Sequence, residues 1–221
     1  MYSLIIIILN YTNFNEFFIE VKNILKLFFN DIKDQIIGID EVGRGALCGP
    51  VVSCSILLSK EILKNKLVKE INDSKKLSKE KRIILANFIK KNSIYSIGKA
   101  NNEEIDELNI LEATNLSIKR SFSKFESFNN LIKIDGNKTF FLNERTSFIK
   151  KGDQKSVSIA AASIIAKTWR DKLMLRYSKQ YPLYKWDKNK GYGTLEHRNA
   201  IRKYGITKIH RKSFLGNLLM N

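Results

Sequence analysis

Two short apolar runs that each end in an acidic residue constrain the fold of this chain more than any other feature. Residues 36–40 form one run, which ends in Asp40, and residues 131–135 form the other, which ends in Asp135. A glycine follows each acid closely. An ionised carboxylate at the end of a buried strand is costly unless it is paired or binds a cation. The runs therefore predict two buried strands whose ends carry functional acids.

The rest of the pattern predicts an α/β fold. Further strands are predicted over residues 51–58 and 94–100, helices over residues 61–71, 79–91, 157–179 and 195–204, and one or two helices over residues 102–125. A hairpin comes first and strands then alternate with helices, which is typical of a mixed central sheet flanked by helices, here with a helical C-terminal part. Because Pro50 and Pro182 are the only prolines, we expect no linker within residues 36–221, which should form one domain.

Residues 1–35 differ from the remainder. After an apolar start, phenylalanines and aliphatic residues recur at helical spacing, which predicts an amphipathic helix docked on the body. A membrane-surface helix is the alternative, but its charges are mixed rather than basic. The apolar run at residues 4–9 is far shorter than the ~20 residues that span a bilayer. With no secretory signal pattern, we expect a cytoplasmic protein with no membrane partner.

The charge favours a polyanionic partner. The chain has 39 Lys and Arg against 22 Asp and Glu, a formal net charge of +17. Nucleic acid and an anionic membrane surface both fit this excess, although a coding bias towards lysine could also produce it. The two cysteines, Cys48 and Cys54, do not have the spacing of a zinc site with His197 and His210, so we interpret them as core residues.

Four acids are candidate metal ligands: Glu41 next to Asp40, Asp135, and Asp171 late in the long predicted helix. Oxygen ligands without nearby His or Cys suit Mg²⁺ or Mn²⁺. Two such ions ~4 Å apart could assist in-line attack of water on a phosphodiester. Each acid taken alone could equally be a surface or capping residue. Asp171 could simply pair with Lys167, four residues earlier on the helix.

Candidate nucleic-acid contacts lie beside these acids. Gly43, Arg44 and Gly45 directly follow the acid pair, and glycine amides with a guanidinium can bind a ribose or a phosphate. A plain hairpin turn would explain the glycines but not the arginine. Tyr192 stands between two glycines and could stack on a sugar or a base, or be an ordinary turn tyrosine.

A basic loop over residues 73–78 contains Lys75 and Lys76, which could hold backbone phosphates. The same loop could instead be a solvated approach to the next helix, with Ser78 as its N-cap.

Taken together, six blocks in the same order resemble ribonuclease HII: residues 38–45, 73–78, 134–136, 158–171, 191–197 and 210–214. The resemblance implies an RNase H-like fold. It also implies a metal-dependent endoribonuclease that cuts the RNA strand of RNA–DNA hybrids, and 5′ of ribonucleotides embedded in duplex DNA, leaving a 3′-hydroxyl and a 5′-phosphate. Such an enzyme would serve ribonucleotide excision during DNA replication and repair.

Carried onto this sequence, the resemblance assigns both metal binding and catalysis to four residues: Asp40, Glu41, Asp135 and Asp171. It implies that Gly43, Arg44 and Gly45 read the ribose 2′-hydroxyl and that Tyr192 stacks at the RNA–DNA junction. Two divalent ions, Mn²⁺ or Mg²⁺, are the implied cofactors. Ala46 and Cys48 depart from the family's usual proline and alanine.

Two other functions remain open. One is a non-catalytic protein that binds hybrid duplexes, and the other is a structure-specific DNA nuclease or resolvase on an RNase H-like fold. Residues 215–221 lack the glutamine and aromatic pattern of sliding-clamp ligands, and we expect a monomer.

Overall fold

The computed structural model describes residues 28–216. The strands are β1 (Ile37–Val42), β2 (Val51–Leu58), β3 (Ser93–Ala100), β4 (Ile132–Asp135) and β5 (Thr146–Ile149). The helices are α1 (Lys79–Lys91), α2 (Asn102–Phe122), α3 (Val157–Gln180), α4 (Trp186–Asn189) and α5 (Leu195–Tyr204). Short 3₁₀ helices span Lys60–Lys64, Lys66–Glu70, Ser123–Phe125, Gly152–Gln154, Pro182–Tyr184 and Lys212–Phe214.

The strands form one mixed sheet in the order β3-β2-β1-β4-β5. Strands β1, β2 and β3 are antiparallel neighbours, whereas β4 pairs parallel with β1, and β5 with β4. In the register of the central pair, Ile39 lies opposite Ile134. Asp40 and Asp135, the next residue on each strand, therefore leave the sheet at the same edge. The predicted mixed sheet flanked by helices is confirmed.

Strand β1 presents different residues to the two helical layers. Ile37 and Ile39 belong to the core that α2 covers with Ile118 and Phe122. Gly38 faces α3 so closely that a Cβ atom there would lie 2.2 Å from the carbonyl carbon of Ser158. Because side chains alternate along a strand, Asp40 faces the same helix as Gly38. Helix α3 therefore lies directly over the strand that carries the first acid.

Several boundaries differ from the predictions in instructive ways. The helix predicted over residues 61–71 is a pair of 3₁₀ helices, whose N-caps Ser59 and Asn65 each accept a hydrogen bond two residues on. Helix α2 contains a non-helical residue, Asn109, with φ 68°. Strand β5 was not predicted, because a four-residue run between polar loops has no clear periodicity.

A separate hydrophobic cluster holds the C-terminal part of the chain, in which the predicted helix over residues 195–204 is α5. Met174 from α3 packs there with Trp186 of α4 and Ile201 of α5, all three essentially buried. This cluster anchors residues 181–215 against the second half of α3.

Of the predicted N-terminal docked helix, only the end is described. Residues 28–33 are helical, and Ile32 is buried in the core that α1 and α3 share with β2. The rest of that prediction lies outside the described residues. Within residues 28–216, no helix combines the length and apolar character needed to cross a membrane.

Candidate active site

Asp40 is the most buried acid of the predicted set, with 6% of its surface exposed. Burial, followed by the nearby carboxylates of Glu41 and Asp135, raises the pKa of Asp40 well above its usual value. The Ser163 hydroxyl on α3 and the Glu41 backbone N–H, which donates to Asp40 Oδ1 at 2.8 Å, partly oppose that shift. Asp40 therefore lies in a site where negative charge is crowded and under-compensated.

Glu41 shares this environment. Burial raises the pKa of Glu41, the Arg44 guanidinium lowers it, and Asp135 raises it again. The Arg44 Nη1 atom lies 3.6 Å from Glu41 Oε1, and the Arg44 side chain is 47% exposed. Arg44 therefore extends from the acids towards solvent, where a polyanion would approach.

A further acid, Asp153, joins the cluster from the loop after β5, and this loop is held by Asp135, the last residue of β4. The Asp135 Oδ1 atom accepts a 2.6 Å hydrogen bond from the backbone N–H of Gly152, the first residue of the 3₁₀ helix Gly152–Gln154. This contact places Asp153 beside Asp135. Burial, then the carboxylates of Asp73 and Asp135, raise the pKa of Asp153 to about 6, while Lys75 acts in the opposite direction. Asp153 is not among the predicted metal ligands, and Asp73 was predicted only as part of the basic loop over residues 73–78.

The structure gives Asp171 different partners. Its Oδ1 accepts from Lys167 Nζ at 2.6 Å, and its Oδ2 lies 3.5 Å from Arg82 Nη1. Asp171 is eight residues beyond Ser163, the α3 residue that contacts Asp40, which corresponds to about 12 Å along the helix axis. Asp171 thus has compensating cations, and the charge acting on Asp40 comes from Glu41 and Asp135.

The loop over residues 72–78 borders the acid cluster. Ser74 on this loop and Ser163 on α3 are 2.9 Å apart through their hydroxyl oxygens. Arg82 holds the loop by donating to the carbonyls of Ser74 and Leu77, both at 3.0 Å. Lys75 and Lys76 are exposed.

Two buried arginines, for which no role was predicted, shape the turn that follows β1. Arg211 donates to the carbonyls of Gly43, Arg44 and Gly49 at 2.7, 2.8 and 2.9 Å. Arg170 donates to the carbonyls of Cys48, Pro50 and Lys190 at 3.1, 2.9 and 2.9 Å. Both are fully buried. Gly43 has φ +93°, and a Cβ there would lie 2.2 Å from Arg170 Nε, so this turn requires glycine.

Tyr192 is brought to the same turn. It forms an isolated bridge with Ala46, and its ring lies 5.5 Å from Arg170 Cζ. Tyr192, far from residues 43–45 in the sequence, therefore lies beside the turn that they form.

A buried histidine pair fixes the backbone at Tyr192. His197 Nε2 accepts from the Trp186 indole N–H at 2.9 Å, so its proton is on Nδ1, which donates to the Tyr192 carbonyl at 3.0 Å. His210 Nδ1 accepts from the Thr207 N–H at 2.8 Å, which leaves His210 Nε2–H facing His197 Nε2 at 3.2 Å. The chain of hydrogen bonds is complete with both rings neutral.

Cys48, His197 and His210 form the only group among residues 28–216 in which three His, Cys, Asp or Glu ligand atoms all lie within 4.8 Å of one another. Burial raises the pKa of the Cys48 thiol to about 12, and the ring nitrogens already have partners. A metal requires a thiolate and free nitrogen lone pairs. Hydrogen bonding therefore explains this group, while Cys54 lies in another core.

Among the described residues, no three acids of the cluster have ligand oxygens that all lie within 4.8 Å of one another. Mg²⁺ and Mn²⁺ are commonly held by one or two carboxylates, with water and substrate phosphate supplying the other oxygens. Oxygen-only donors, deep burial and mutual repulsion are the properties of a site that divalent cations would stabilise. The donor set fits hard cations shared between pairs of acids.

Comparison with known proteins identifies the family. The family model described as Ribonuclease HII matches residues 37–216. A Ribonuclease HII of Pelagibacter ubique (strain HTCC1062) is 51% identical over 178 residues, which cover 80% of this chain and 94% of that one. A Ribonuclease HII of Endomicrobium trichonymphae is 47% identical over 189 residues, which cover 85% of this chain and 88% of that one.

Solved structures agree with the fold. The structure of the PCNA:RNase HII complex from Archaeoglobus fulgidus matches with a TM-score of 0.69 and 26% identity, covering 80% of this chain and 94% of that one. Ribonuclease H2 from Pyrococcus horikoshii OT3 has the same fold, with a TM-score of 0.66 and 21% identity, covering 84% of this chain and 99% of that one. The α/β RNase H-like fold implied by the resemblance is confirmed. This chain belongs to the ribonuclease HII family and is a ribonuclease H-type hydrolase.

Proposed function

We propose that this protein is a divalent-metal-dependent endoribonuclease that cuts the RNA strand of RNA–DNA hybrids and the 5′ side of single ribonucleotides embedded in duplex DNA. The products are a 3′-hydroxyl and a 5′-phosphate. One observation carries the proposal: buried, mutually repelling acids stand at adjacent strand ends in a chain whose net charge is +17. Family membership supports the same reaction and does not favour a non-catalytic binder or a resolvase.

The acids that would hold the cations are Asp40, Glu41, Asp135 and Asp153. Asp153 replaces Asp171 in this proposal, because Asp153 lies beside Asp135 with a raised pKa whereas Asp171 is neutralised by Lys167 and Arg82. When bound, divalent ions would neutralise the crowded acids, polarise the scissile phosphate and favour attack by water. Mn²⁺ and Mg²⁺ both suit these oxygen ligands.

Recognition of ribose is assigned to the turn beside the acids. In this proposal Gly43, which is buried, gives the turn its shape, and the exposed Arg44 and Gly45 beside Glu41 contact the ribose that adjoins the scissile phosphate. Tyr192 stacks on the neighbouring sugar or base, on a backbone held by His197. Lys75 and Lys76 contact phosphates from the loop at the other side of the acid cluster.

The decisive experiment compares three duplexes, with and without Mn²⁺. One contains a single ribonucleotide, one contains only deoxyribonucleotides, and one is a four-way branched DNA. We expect metal-dependent cutting of the first alone, with the new 5′-phosphate on the ribonucleotide-containing fragment. Binding of the first without metal-dependent products would establish a non-catalytic binder, and cutting of the branched DNA would establish a resolvase.

The variant Asp40→Asn tests whether the charge of Asp40 is needed for catalysis. This variant removes the most deeply buried charge while preserving the side-chain shape, so we expect turnover to be abolished and affinity for the hybrid to be largely retained. Full activity of Asp40→Asn would contradict the assignment of the acids to metal binding.

A further inference from the structure

A cavity of about 450 Å³ opens in the loop between β4 and β5, at the strand end that carries Asp135. Its lining begins with Gly136, directly after Asp135, and ends with Lys150, three residues before Asp153. The Gly136 N–H donates to the Ile149 carbonyl at 3.0 Å, which joins the two borders. The cavity therefore begins one residue from Asp135 at the same edge of the sheet, but on the face that α2 covers, since Phe148 packs in the core with Phe122 whereas Asp40 faces α3.

Aromatic rings form much of the lining. Phe140 and Phe148 meet edge to face, with ring centroids 5.7 Å apart, and are partly buried. Phe141, between the loop's anchor points, is 67% exposed. Exposed aromatic rings on nucleic-acid-binding proteins provide stacking platforms that accept any base.

The charges around the cavity suit a polyanion. Lys138 and Lys150 are exposed at its rim, and Glu144 is the only acid among the lining residues. A stacking ring between two cations combines the two features that bind single-stranded nucleic acid without sequence preference.

The loop is held in place on both sides of the phenylalanines. The Thr139 hydroxyl pairs with Asn115 Oδ1 of α2 at 3.1 Å. On the other side, Asn143 Oδ1 accepts from the Arg145 N–H and from the Thr146 hydroxyl, both at 3.0 Å. The exposed ring is thus presented on an anchored loop.

We propose that this cavity binds an unpaired nucleotide of the strand that is being cut, with its base stacked on Phe141 and its phosphates near Lys138 and Lys150. The inference rests on the proposed function, because a strand held at the acids would reach the cavity by crossing the sheet edge between Asp135 and Gly136. A base within the duplex is already stacked and paired, so the cavity selects strands with a frayed end or a single-stranded extension.

The test measures binding of an RNA–DNA hybrid whose RNA strand carries an unpaired adenosine extension, at the 5′ end or the 3′ end, against the blunt hybrid. Fluorescence anisotropy in a chelator gives affinities without cleavage. We expect the extension at one of the two ends to tighten binding by about fivefold or more, the lower range of the contribution from stacking one base. An extension of abasic nucleotides should not reproduce this gain.

Variants separate stacking from charge. Phe141→Ala should abolish the gain and Phe141→Tyr should retain it, while Ile84→Ala, which removes an exposed apolar side chain from α1, should leave it unchanged. Metal-dependent cutting of the blunt hybrid should be the same in all three variants and serves as the check that they are folded.

The two proposals fail in different ways. Equal affinity for blunt and extended hybrids, or a gain that survives Phe141→Ala, would overturn the inference and leave the nuclease assignment intact. A wild-type protein that does not cut the blunt hybrid in Mn²⁺ would instead overturn the proposed function.

Discussion

Asp153 and Asp171 differ in the charges around them, and the difference predicts unequal effects of removing each charge. Asp153 lies against other acids and should be needed by a bound cation, so Asp153→Asn should lower the cleavage rate by about 100-fold or more. Asp171 pairs with Lys167 and Arg82 rather than with the acid cluster. Since such a partly exposed ion pair contributes less than about 1 kcal/mol to the stability of the fold, Asp171→Asn should leave the site intact and keep the cleavage rate within about threefold. Initial rates on a single-ribonucleotide duplex in Mn²⁺ measure both. The reverse order would restore Asp171 as the fourth ligand.

Because His210 is buried in its neutral form, we expect the protein to lose stability in acid. Burial and the neighbouring His197 lower the pKa of His210 to about 4, whereas an unfolded histidine titrates near 6.5. Between these values the unfolded chain binds a proton that the folded protein does not, so the free energy of unfolding falls as the pH falls through that window. From pH 7.5 to pH 5 the loss from this group should be about 2 kcal/mol.

Urea denaturation of the wild type and of His210→Gln at both pH values isolates the histidine. The variant lacks the titrating ring and should lose less stability on acidification than the wild type. The same loss in both proteins would show that the ring is not protonated on unfolding in this range.

At the residue scale, the sequence predicts the acids better than it predicts the buried arginines that hold the turn beside them. Asp40 and Asp135 were predicted because each ends an apolar run, whereas Asp153 lies four residues beyond Ile149, the end of β5, and has no such signal. Arg170 and Arg211 could not be assigned, because the carbonyls they bind lie at least 120 residues earlier in the chain, apart from Lys190. Only the folded chain shows those distances.

Among the secondary-structure elements, the contact between α3 and β1 determines where the acids stand. Gly38→Ala would place a Cβ 2.2 Å from the Ser158 carbonyl carbon, so α3 must move away from the strand. We expect a loss of about 3 kcal/mol in the free energy of unfolding, the upper range for overpacking. Urea denaturation checks this value.

Gly45→Ala is the matched control for stability, since nothing lies within 4 Å of its Cβ position. It should leave the free energy of unfolding within about 0.5 kcal/mol of the wild type. If Gly38→Ala were as stable as Gly45→Ala, close packing of α3 on β1 would not be required.

Elements with strong periodicity were predicted well, and short ones were not. The bounds of β2, α1 and α5 agree with the prediction because each has clear apolar spacing or a capping residue such as Ser78 or Thr194. The 3₁₀ helix Gly152–Gln154 follows a left-handed Lys151 and lacks a side-chain cap, so no local signal marks it. Its position depends on the hydrogen bond to Asp135.

For the whole molecule, the excess of positive charge predicts binding that weakens with salt. If Lys75 and Lys76 each contact a phosphate, replacing either by Ala should reduce the slope of log affinity against log salt by about 0.9. Lys119→Ala, on α2 at the opposite face of the sheet, is the control and should leave the slope unchanged. Affinities for a hybrid between about 50 and 200 mM salt provide the slopes. Equal slopes for all variants would remove the loop from the interface.

The hydrogen bonds from Arg211 also determine when, during synthesis of the chain, the turn after β1 can take its final shape. Arg211 donates to the Gly43 carbonyl from 168 residues away, so translation at about 5–20 residues per second delivers the guanidinium roughly 8–34 s after the turn it holds. A nascent chain has its first two acids long before the ribose-facing turn can take its final shape. The turn therefore reaches the geometry of the folded protein only after residue 211 has been added.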